Sequence, residues 1–297
     1  MKHRFWIVFV ISIVSVPGAV VWLVHRSQEQ EPTYQGKPLH VLLKGFDANQ
    51  GSAEYSAAQS AVQQIGTNAL PTLIYYLHRK DPPFHRQCIN LKGKLHLLHG
   101  EVGYAVFWHR RAAQACGALG EAAEAAFPAL VEAMNDPQAA SDVGKGLSRM
   151  MPRSIPVLTN ILATGNMVAR CRAADNLATA FSHRDAEPMA RTALLSALCD
   201  SDRAVRSTAA SAFQFWNARL DVVLPALRRA LSDPDPSVRG NAATSLGNFG
   251  SAAKAAVPEL LKLLRDTNPY VSGTVGDRAA KMLLKIDPEA AHRAGVK

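Results

Sequence analysis

The chain has 297 residues, enough for a large buried core, and a formal net charge of +9. Aromatic residues make up only 7% of the sequence, alanine is abundant, and no stretch alternates as a half-buried β-strand does, so an all-α protein is expected. The excess positive charge is concentrated between His78 and Arg111, and the rest of the repeated part is nearly neutral. This distribution excludes the generally basic surface that nucleic-acid binding favours, and nucleic acid is not an expected partner.

The first 26 residues differ in character from the rest of the chain. Twenty uncharged residues, Phe5 to Val24, are flanked on both sides by basic residues. As a helix they would span about 30 Å, the thickness of the hydrocarbon core of a bilayer. We therefore predict a transmembrane anchor at residues 1–26, with the remainder of the chain outside the cytoplasm. A cleaved signal peptide is the alternative, because residues 16–18 resemble a cleavage site, and the protein would then be secreted or periplasmic.

Residues 27–38 are rich in Gln, Glu and Pro, which predicts an extended linker. Beyond the linker the chain consists of copies of one helical hairpin, seen most clearly between Asp235 and Thr267. Its first helix is indicated by an apolar stripe that includes Val238 and Leu246, and its second helix begins at Pro258.

Copies of this hairpin recur along the chain. One lies 33 residues upstream and another 130 residues upstream, both without a gap in register. Weaker copies cover residues 54–80, 138–164 and 166–200, and a half-unit at 271–286 closes the array. One hairpin cannot bury its apolar face alone, so we expect residues 39–297 to form a single domain. The predicted architecture is a right-handed α-α superhelix of about six hairpins plus a capping helix.

Two segments point to a family: DPDPSVRGNAATSLGNFG at residues 233–250 and SDRAVRSTAASAF at residues 201–213. They resemble the Asp-x-x-Val-Arg-x-x-Ala-Ala-x-x-Leu pattern of HEAT repeats, in the HEAT-like subtype of bilin lyases. The overall layout also resembles membrane-anchored or secreted HEAT-repeat proteins of Verrucomicrobia-like and Planctomycete-like bacteria. The resemblance implies the fold and no particular activity, because proteins with this repeat include bilin lyases, DNA-repair glycosylases and adaptor scaffolds.

An arginine recurs early in the first helix of the later repeats, at Arg170, Arg206 and Arg239, with Asp202 and Asp235 four residues before the last two. Equivalent positions stack in a solenoid, so these residues are predicted to form an inter-repeat ladder of charge-assisted hydrogen bonds. A row of anion-binding arginines is the alternative interpretation.

An insertion at residues 81–104 interrupts the period. This insertion and its flank carry a basic group that consists of Arg79, Lys80, Arg86, Lys92 and Lys94. Inserted segments in repeat proteins often lie on a working face, so a surface for anionic groups is one interpretation. The other is a short amphipathic helix that simply packs on the array. Two histidine-containing pairs in the insertion have the spacing of zinc ligands, but we expect no metal and no cofactor, because no tight turn separates the pairs.

The cysteines are relevant if the repeats lie outside the cytoplasm, where thiols can oxidise. Cys171 falls in the first turn of one predicted helix and Cys199 at the end of its partner, so both lie near the same end of one hairpin. They form a candidate disulfide, and two buried thiols are the alternative.

The sequence contains no G-x-S-x-G, H-E-x-x-H, Walker or dinucleotide-binding motif. We therefore expect a non-enzymatic, membrane-tethered scaffold that binds protein or peptide partners through its second helices, and the predicted contacts there are Arg228, Arg229, Lys262 and Arg265. One alternative is a lyase-type enzyme or enzyme subunit that holds an anionic ligand near the insertion. Another is attachment to anionic lipid or wall polymer through the basic group.

Overall fold

The computed structural model describes residues 31–81, 105–182, 187–216, 220–271 and 273–297. The described chain begins with a two-stranded antiparallel sheet, β1 (Thr33–Tyr34) and β2 (Lys37–Pro38), and a short helix, α1 (Leu39–Leu42). Most of the remaining chain forms hairpins, each with a first and a second helix. In chain order they are α2 (Ala53–Ile65) with α3 (Leu70–Leu77), α4 (Ala105–Leu119) with α5 (Phe127–Met134), α6 (Ala140–Arg149) with α7 (Ile155–Thr164), α8 (Met167–Leu177) with α9 (Glu187–Ala197), α10 (Arg203–Ala212) with α11 (Leu220–Ala230), and α12 (Pro236–Asn248) with α13 (Val257–Leu263).

Two helices, α14 (Val275–Ile286) and α15 (Pro288–Arg293), close the array. Short 3-10 segments follow α1 and the first helices of most hairpins, at Leu43–Asp47, Gly66–Ala69, Gly120–Ala126, Ala178–Ser182, Phe213–Phe215 and Gly250–Ala256. The all-α repeat array predicted from the periodicity is therefore confirmed, and the described residues contain six hairpins and a cap.

The first helices form a continuous stack, in which α4 packs on α6, α6 on α8, α8 on α10, α10 on α12 and α12 on α14. The stripe predicted from the sequence is the buried face of this stack: Val238, Ala242 and Leu246 are fully buried. The stack is close-packed in places, since a Cβ at Gly146 would overlap the carbonyl oxygen of Ala113 in the neighbouring helix. Small residues on the first helices therefore set how near the hairpins lie.

A glycine with positive φ follows the first helix in three hairpins, at Gly66, Gly120 and Gly250. Glycine adopts this conformation without steric cost, so each one turns the chain toward the second helix. Pro71, Pro128 and Pro258 then stand in the first turn of the second helices, where a missing N–H leaves no hydrogen bond unmade.

The segment predicted as an extended linker is a folded part of the array from residue 31 onwards. Gln35 and Gly36, both with positive φ, turn β1 back onto β2. Glu31 is buried and accepts hydrogen bonds from the backbone N–H of His40 at 2.7 Å and from the hydroxyl of Tyr76 at 3.2 Å. The His40 ring Nδ1 lies 2.6 Å from the same carboxylate. These contacts fasten the segment to α1 and α3, so the linker prediction is wrong for residues 31–38.

The predicted single-pass membrane location is corrected by the structure. Across the described ranges, 31–81 through 273–297, no helix is both long enough and apolar enough to cross a bilayer. Residues 1–26, on which the anchor was predicted, lie outside those ranges. A single-pass membrane anchor is therefore not supported.

Most of the insertion, residues 82–104, also lies outside the described part, and with it Arg86, Lys92 and Lys94. Asp81 and Ala105, the described residues on either side of this gap, lie next to each other, because the backbone N–H of Ala105 donates to the Asp81 carboxylate at 2.8 Å.

Candidate partner-binding surface and the inter-repeat ladder

The ladder arginines bind carboxylates at the ends of the second helices. In the last hairpin, Arg239 Nε donates to Asp266 Oδ2 at 2.7 Å. Its Nη1 donates to the backbone carbonyls of Asp233 at 2.8 Å and Pro234 at 3.0 Å, in the loop before its own helix. One guanidinium therefore joins the beginning of a hairpin to its end.

The same arrangement recurs upstream. Arg206 donates to both carboxylate oxygens of Asp233, at 2.8 and 3.0 Å, and to the carbonyls of Asp200 and Ser201. Arg170 donates to both oxygens of Asp200 at 3.0 Å. Asp200 and Asp233 each bind one arginine through the side chain and the next arginine through the carbonyl, so the contacts run unbroken from α8 to the end of α13.

The carboxylates in this ladder differ from the predicted ones. Asp202 and Asp235 instead cap helices α10 and α12, accepting from the backbone N–H groups of Ala204 and Ser237 at 2.7 and 2.8 Å. Each sits at the N-cap position of its own helix, where unpaired backbone donors point at the side chain. Asp235 also lies 3.3 Å from Arg203, an arginine whose side chain is 79% exposed.

The ladder is structural. The side chains of Arg239 and Asp266 are only 11% and 10% exposed, and the donors of Arg239 are engaged by the protein. Burial opposes ionisation of Asp233, but hydrogen bonds from Arg206 and from the Asp235 amide hold its pKa below the usual range. Burial likewise opposes ionisation of Asp266, whose pKa is lowered by hydrogen bonds from Asn268 and Arg239. The ladder therefore leaves no guanidinium free for an external anion, and the alternative interpretation, a row of anion-binding arginines, is not supported.

His109 occupies the ladder position in the second hairpin, since it lies 130 residues before Arg239 in the unbroken register. Its Nε2 lies 2.8 Å from the carbonyl of Arg79, in the preceding loop, and its Nδ1 lies 3.7 Å from Asp136 Oδ2. Asp136 corresponds to Asp266, and its Oδ1 accepts from the next loop in the same way, from the N–H of Gln138 at 2.9 Å. The ring is 6% exposed and Nδ1 has no hydrogen-bond partner. His109 therefore makes the contact to the preceding loop but lacks the hydrogen bond to the carboxylate that an arginine makes at this position.

The predicted partner contacts are not equivalent to one another. Arg228, on α11, donates to Glu259 Oε1 on α13 at 2.6 and 3.2 Å. This hydrogen bond raises the pKa of Arg228 and lowers the pKa of Glu259, so the pair is fully charged and internally neutralised. Arg229, Lys262 and Arg265 are exposed and make no ion pair with the described residues. Three of the four predicted residues therefore present unneutralised charge.

The two described members of the basic group at the insertion, Arg79 and Lys80, both contact other side chains of the protein. The Arg79 guanidinium lies 5.3 Å from the ring centre of Trp108, and Arg111 approaches the same ring at 5.0 Å. Lys80 Nζ lies 3.2 Å from Glu132, although both side chains are largely exposed. A cavity of about 340 Å³ is lined by Arg79, Lys80, Glu132 and His109, among others.

The candidate disulfide is absent, since Cys171 and Cys199 are both free. Cys171 lies beside Thr208, on the first helix of the next hairpin, and burial raises the pKa of its thiol. The Cys171 side chain thus contacts the neighbouring hairpin, whereas Cys199 is exposed. The predicted pairing placed both residues near one end of a hairpin but ignored the direction of each side chain.

Sequence reasoning missed the true ladder carboxylates and the buried Glu31. A signal for the first was available, because Asp200, Asp233 and Asp266 recur at intervals of 33 residues. No comparable signal existed for Glu31, whose partners His40 and Tyr76 follow no repeat.

The stacked hairpins define a helical-repeat solenoid, and the comparisons with known families agree. Residues 224–292 match a family model described as HEAT repeats, and residues 109–136 match the PBS lyase HEAT-like repeat. Two separate parts of the chain are therefore HEAT repeats. The proposed grouping with particular bacteria is not supported. A comparison with curated proteins finds no match.

Two solved structures resemble the chain at low similarity. A crystal structure of an engineered protein has a TM-score of 0.43 and 17% identity, covering 86% of this chain and 97% of the other. A structure of the Pds5–Scc1 complex has a TM-score of 0.41 and 13% identity, covering 82% of this chain and 49% of the other.

Proposed function

We propose that this protein is a non-enzymatic scaffold that binds protein or peptide partners through the surface of its second helices. HEAT repeats build extended surfaces from stacked helices, a form suited to holding an elongated partner. The observation that carries the proposal is a difference between the two helices of a hairpin: the first makes contacts within the array, and the second presents exposed charged side chains.

The first helices are occupied with internal contacts. Polar groups on this side bridge one hairpin to the next: Ser245 donates to the carbonyl of Ala210 at 2.6 Å, and Asn241 donates to Ser207 Oγ at 2.9 Å. Such bonds stabilise the stack. The second helices of the last two hairpins instead hold Arg229 and Lys262, and Arg265 lies in the turn just after α13; all three are exposed and without ion pairs among the described residues.

The rival site at the insertion has weaker support. Arg79 stacks on Trp108 and Lys80 pairs with Glu132, so the described cations there already have partners that an anionic ligand would have to displace. We therefore favour the second-helix surface over a lyase-type ligand site or attachment to lipid or wall polymer.

Site-specific photo-crosslinking tests the proposal. A photoreactive residue is placed at Asn160 or Ser196 on second helices, or at Lys145 or Asp175 on first helices, all four of which are exposed. We expect the second-helix positions to crosslink to a protein that mass spectrometry identifies and that binds again when purified. Equal crosslinking from both faces, or an identified protein that fails to bind again, would contradict the proposal.

A further inference from the structure

Three exposed cations that make no ion pair with the described residues lie in the last two hairpins, and we term them the basic row: Arg229, Lys262 and Arg265. Arg229 and Lys262 lie 33 residues apart, at the same position of successive hairpins, and Arg265 lies in the turn that follows α13. Arg228 on α11 reaches Glu259 on α13 at 2.6 Å, so the two helices lie side by side, and neighbouring helices are about 8–10 Å apart. Arg229 and Lys262 therefore start from equivalent points on neighbouring helices.

The carboxylates around the basic row are already bound. Glu259 is held by Arg228 at 2.6 Å, Asp233 by Arg206 at 2.8 Å, and Asp266 by Arg239 at 2.7 Å. Each of these acids makes its hydrogen-bonded ion pair with an arginine outside the row, and Lys262 adds only a longer-range attraction to Glu259. Attraction for an external anion is correspondingly greater, because those acids cannot pair with the row without breaking an existing contact.

The positive charge does not continue along the array. The same position holds Tyr75 in the first hairpin and Glu132 in the second, and Glu132 interacts with His78 and Lys80. A nucleic acid obtains its affinity from many phosphate contacts, about 6–10 in a typical case, which a row of three cations does not supply. A short acidic stretch of polypeptide matches the extent of the row better.

We infer that the partner's bound segment is an extended acidic peptide that crosses α11 and α13, placing carboxylates against Arg229 and Lys262. This inference rests on the proposed scaffold function and adds the chemical class of the partner. An extended chain advances about 3.3 Å per residue, so three residues span the distance between adjacent helices. The favoured segment therefore carries an acidic residue at every third position.

Fluorescence anisotropy with synthetic peptides tests the inference on the full-length protein. The probe is a labelled peptide with glutamate at every third position among serine and threonine, and the control peptide replaces each glutamate with glutamine. We expect the acidic peptide alone to bind and to weaken as ionic strength rises. The double variant Arg229→Glu/Lys262→Glu should lower its affinity by about tenfold or more, because like charges then face each other.

The matched control is Lys145→Glu, a charge reversal at an exposed site on the first helix α6. This variant should bind the acidic peptide as the native protein does, and circular dichroism establishes that all variants are folded. Equal binding of the glutamine peptide, or an unchanged affinity in the double variant, would overturn the inference. Displacement of the acidic peptide by duplex DNA or phosphatidylserine vesicles at lower charge concentration would also overturn it, by assigning the row to another class of ligand.

Binding tests with the protein identified by crosslinking distinguish a failure of the acidic-segment inference from a failure of the scaffold function. A purified partner that binds through second helices but is insensitive to Arg229→Glu/Lys262→Glu refutes the acidic segment and leaves the scaffold function intact. No second-helix partner at all refutes the scaffold function itself.

Discussion

Arg239 and Asp266 lie 27 residues apart in sequence, yet the guanidinium Nε contacts the carboxylate at 2.7 Å, with both side chains almost buried. The contact closes the last hairpin, and the Arg206–Asp233 and Arg170–Asp200 pairs close the two before it. Each arginine also binds the loop that precedes its helix, so the three rungs join consecutive hairpins.

Substitution of Arg239 by methionine should destabilise the protein. The change removes hydrogen bonds to a charged, largely buried carboxylate, and bonds of this kind contribute about 1.5–3 kcal/mol each. Urea unfolding followed by circular dichroism measures the loss. The matched control is Arg203→Met, which breaks a 3.3 Å pair with Asp235 at a side chain that is 79% exposed. Exposed pairs contribute about 0–1 kcal/mol, so a loss as large as that of Arg239→Met would refute the ladder as the cause.

The ladder also predicts how stability depends on pH. The pKa values of Asp233 and Asp266 lie below the usual 3.8 in the folded protein. Their contribution is therefore complete above about pH 4, the range of an unfolded aspartate, and is lost as the pH falls through the folded-state pKa. The urea midpoint should drop on acidification below that point. In Asp266→Asn the urea midpoint should be lower at neutral pH and should fall less on acidification. A fall as steep as that of the native protein would contradict the role of Asp266 in the pH dependence.

Completion of the histidine rung should stabilise the second hairpin. In His109→Arg the longer side chain can reach Asp136 while it keeps the contact to the Arg79 carbonyl, and the cavity of about 340 Å³ beside it gives room. We expect a gain of about 1 kcal/mol at neutral pH, measured by thermal unfolding. His109→Ala, which keeps neither contact, should instead destabilise the protein. A loss of stability in His109→Arg would show that the register equivalence does not extend to geometry.

Close packing of the first helices can be tested with alanine. Gly146→Ala should cost about 1–3 kcal/mol, because its methyl group meets the backbone carbonyl of Ala113, which cannot move independently of its helix. Gly247→Ala is the comparison and should cost less, since its new methyl group meets only the side chain of Met282, in which the sulfur and Cγ can rotate away and the Cβ, at 3.0 Å, must shift slightly. Both glycines lie within first helices, so both gain equally in helix propensity, and the difference between them isolates the packing term.

The cysteines should alkylate in order of burial. Cys199 is exposed and should react first, Cys171 more slowly, and Cys116 only on unfolding, because burial raises its pKa to about 12. Peptide mapping of the native protein under non-reducing conditions gives the order and should find Cys171 and Cys199 as free thiols. A disulfide-linked peptide containing both would contradict the structure.

Much of the fold could be predicted from the sequence, because a helical repeat encodes its core locally. The stripe of Val238, Ala242 and Leu246 and the break at Gly250 follow from spacing and backbone chemistry alone. The hairpin at residues 33–38 could not be found in this way, because it has only two residues in each strand and its anchor is the buried Glu31.

The sequence by itself determined the class of protein and the arginines of the ladder, since both recur at a constant period. Tertiary structure decided which carboxylates the arginines bind. Asp202 and Asp235 are nearer in sequence, but helix N-terminal N–H groups engage them, whereas the hairpin turn brings Asp233 and Asp266 beside Arg206 and Arg239. Tertiary structure also separated Arg228, neutralised by Glu259, from Arg229 and Lys262, because charge pairing between adjacent hairpins depends on side-chain direction, which periodicity does not specify.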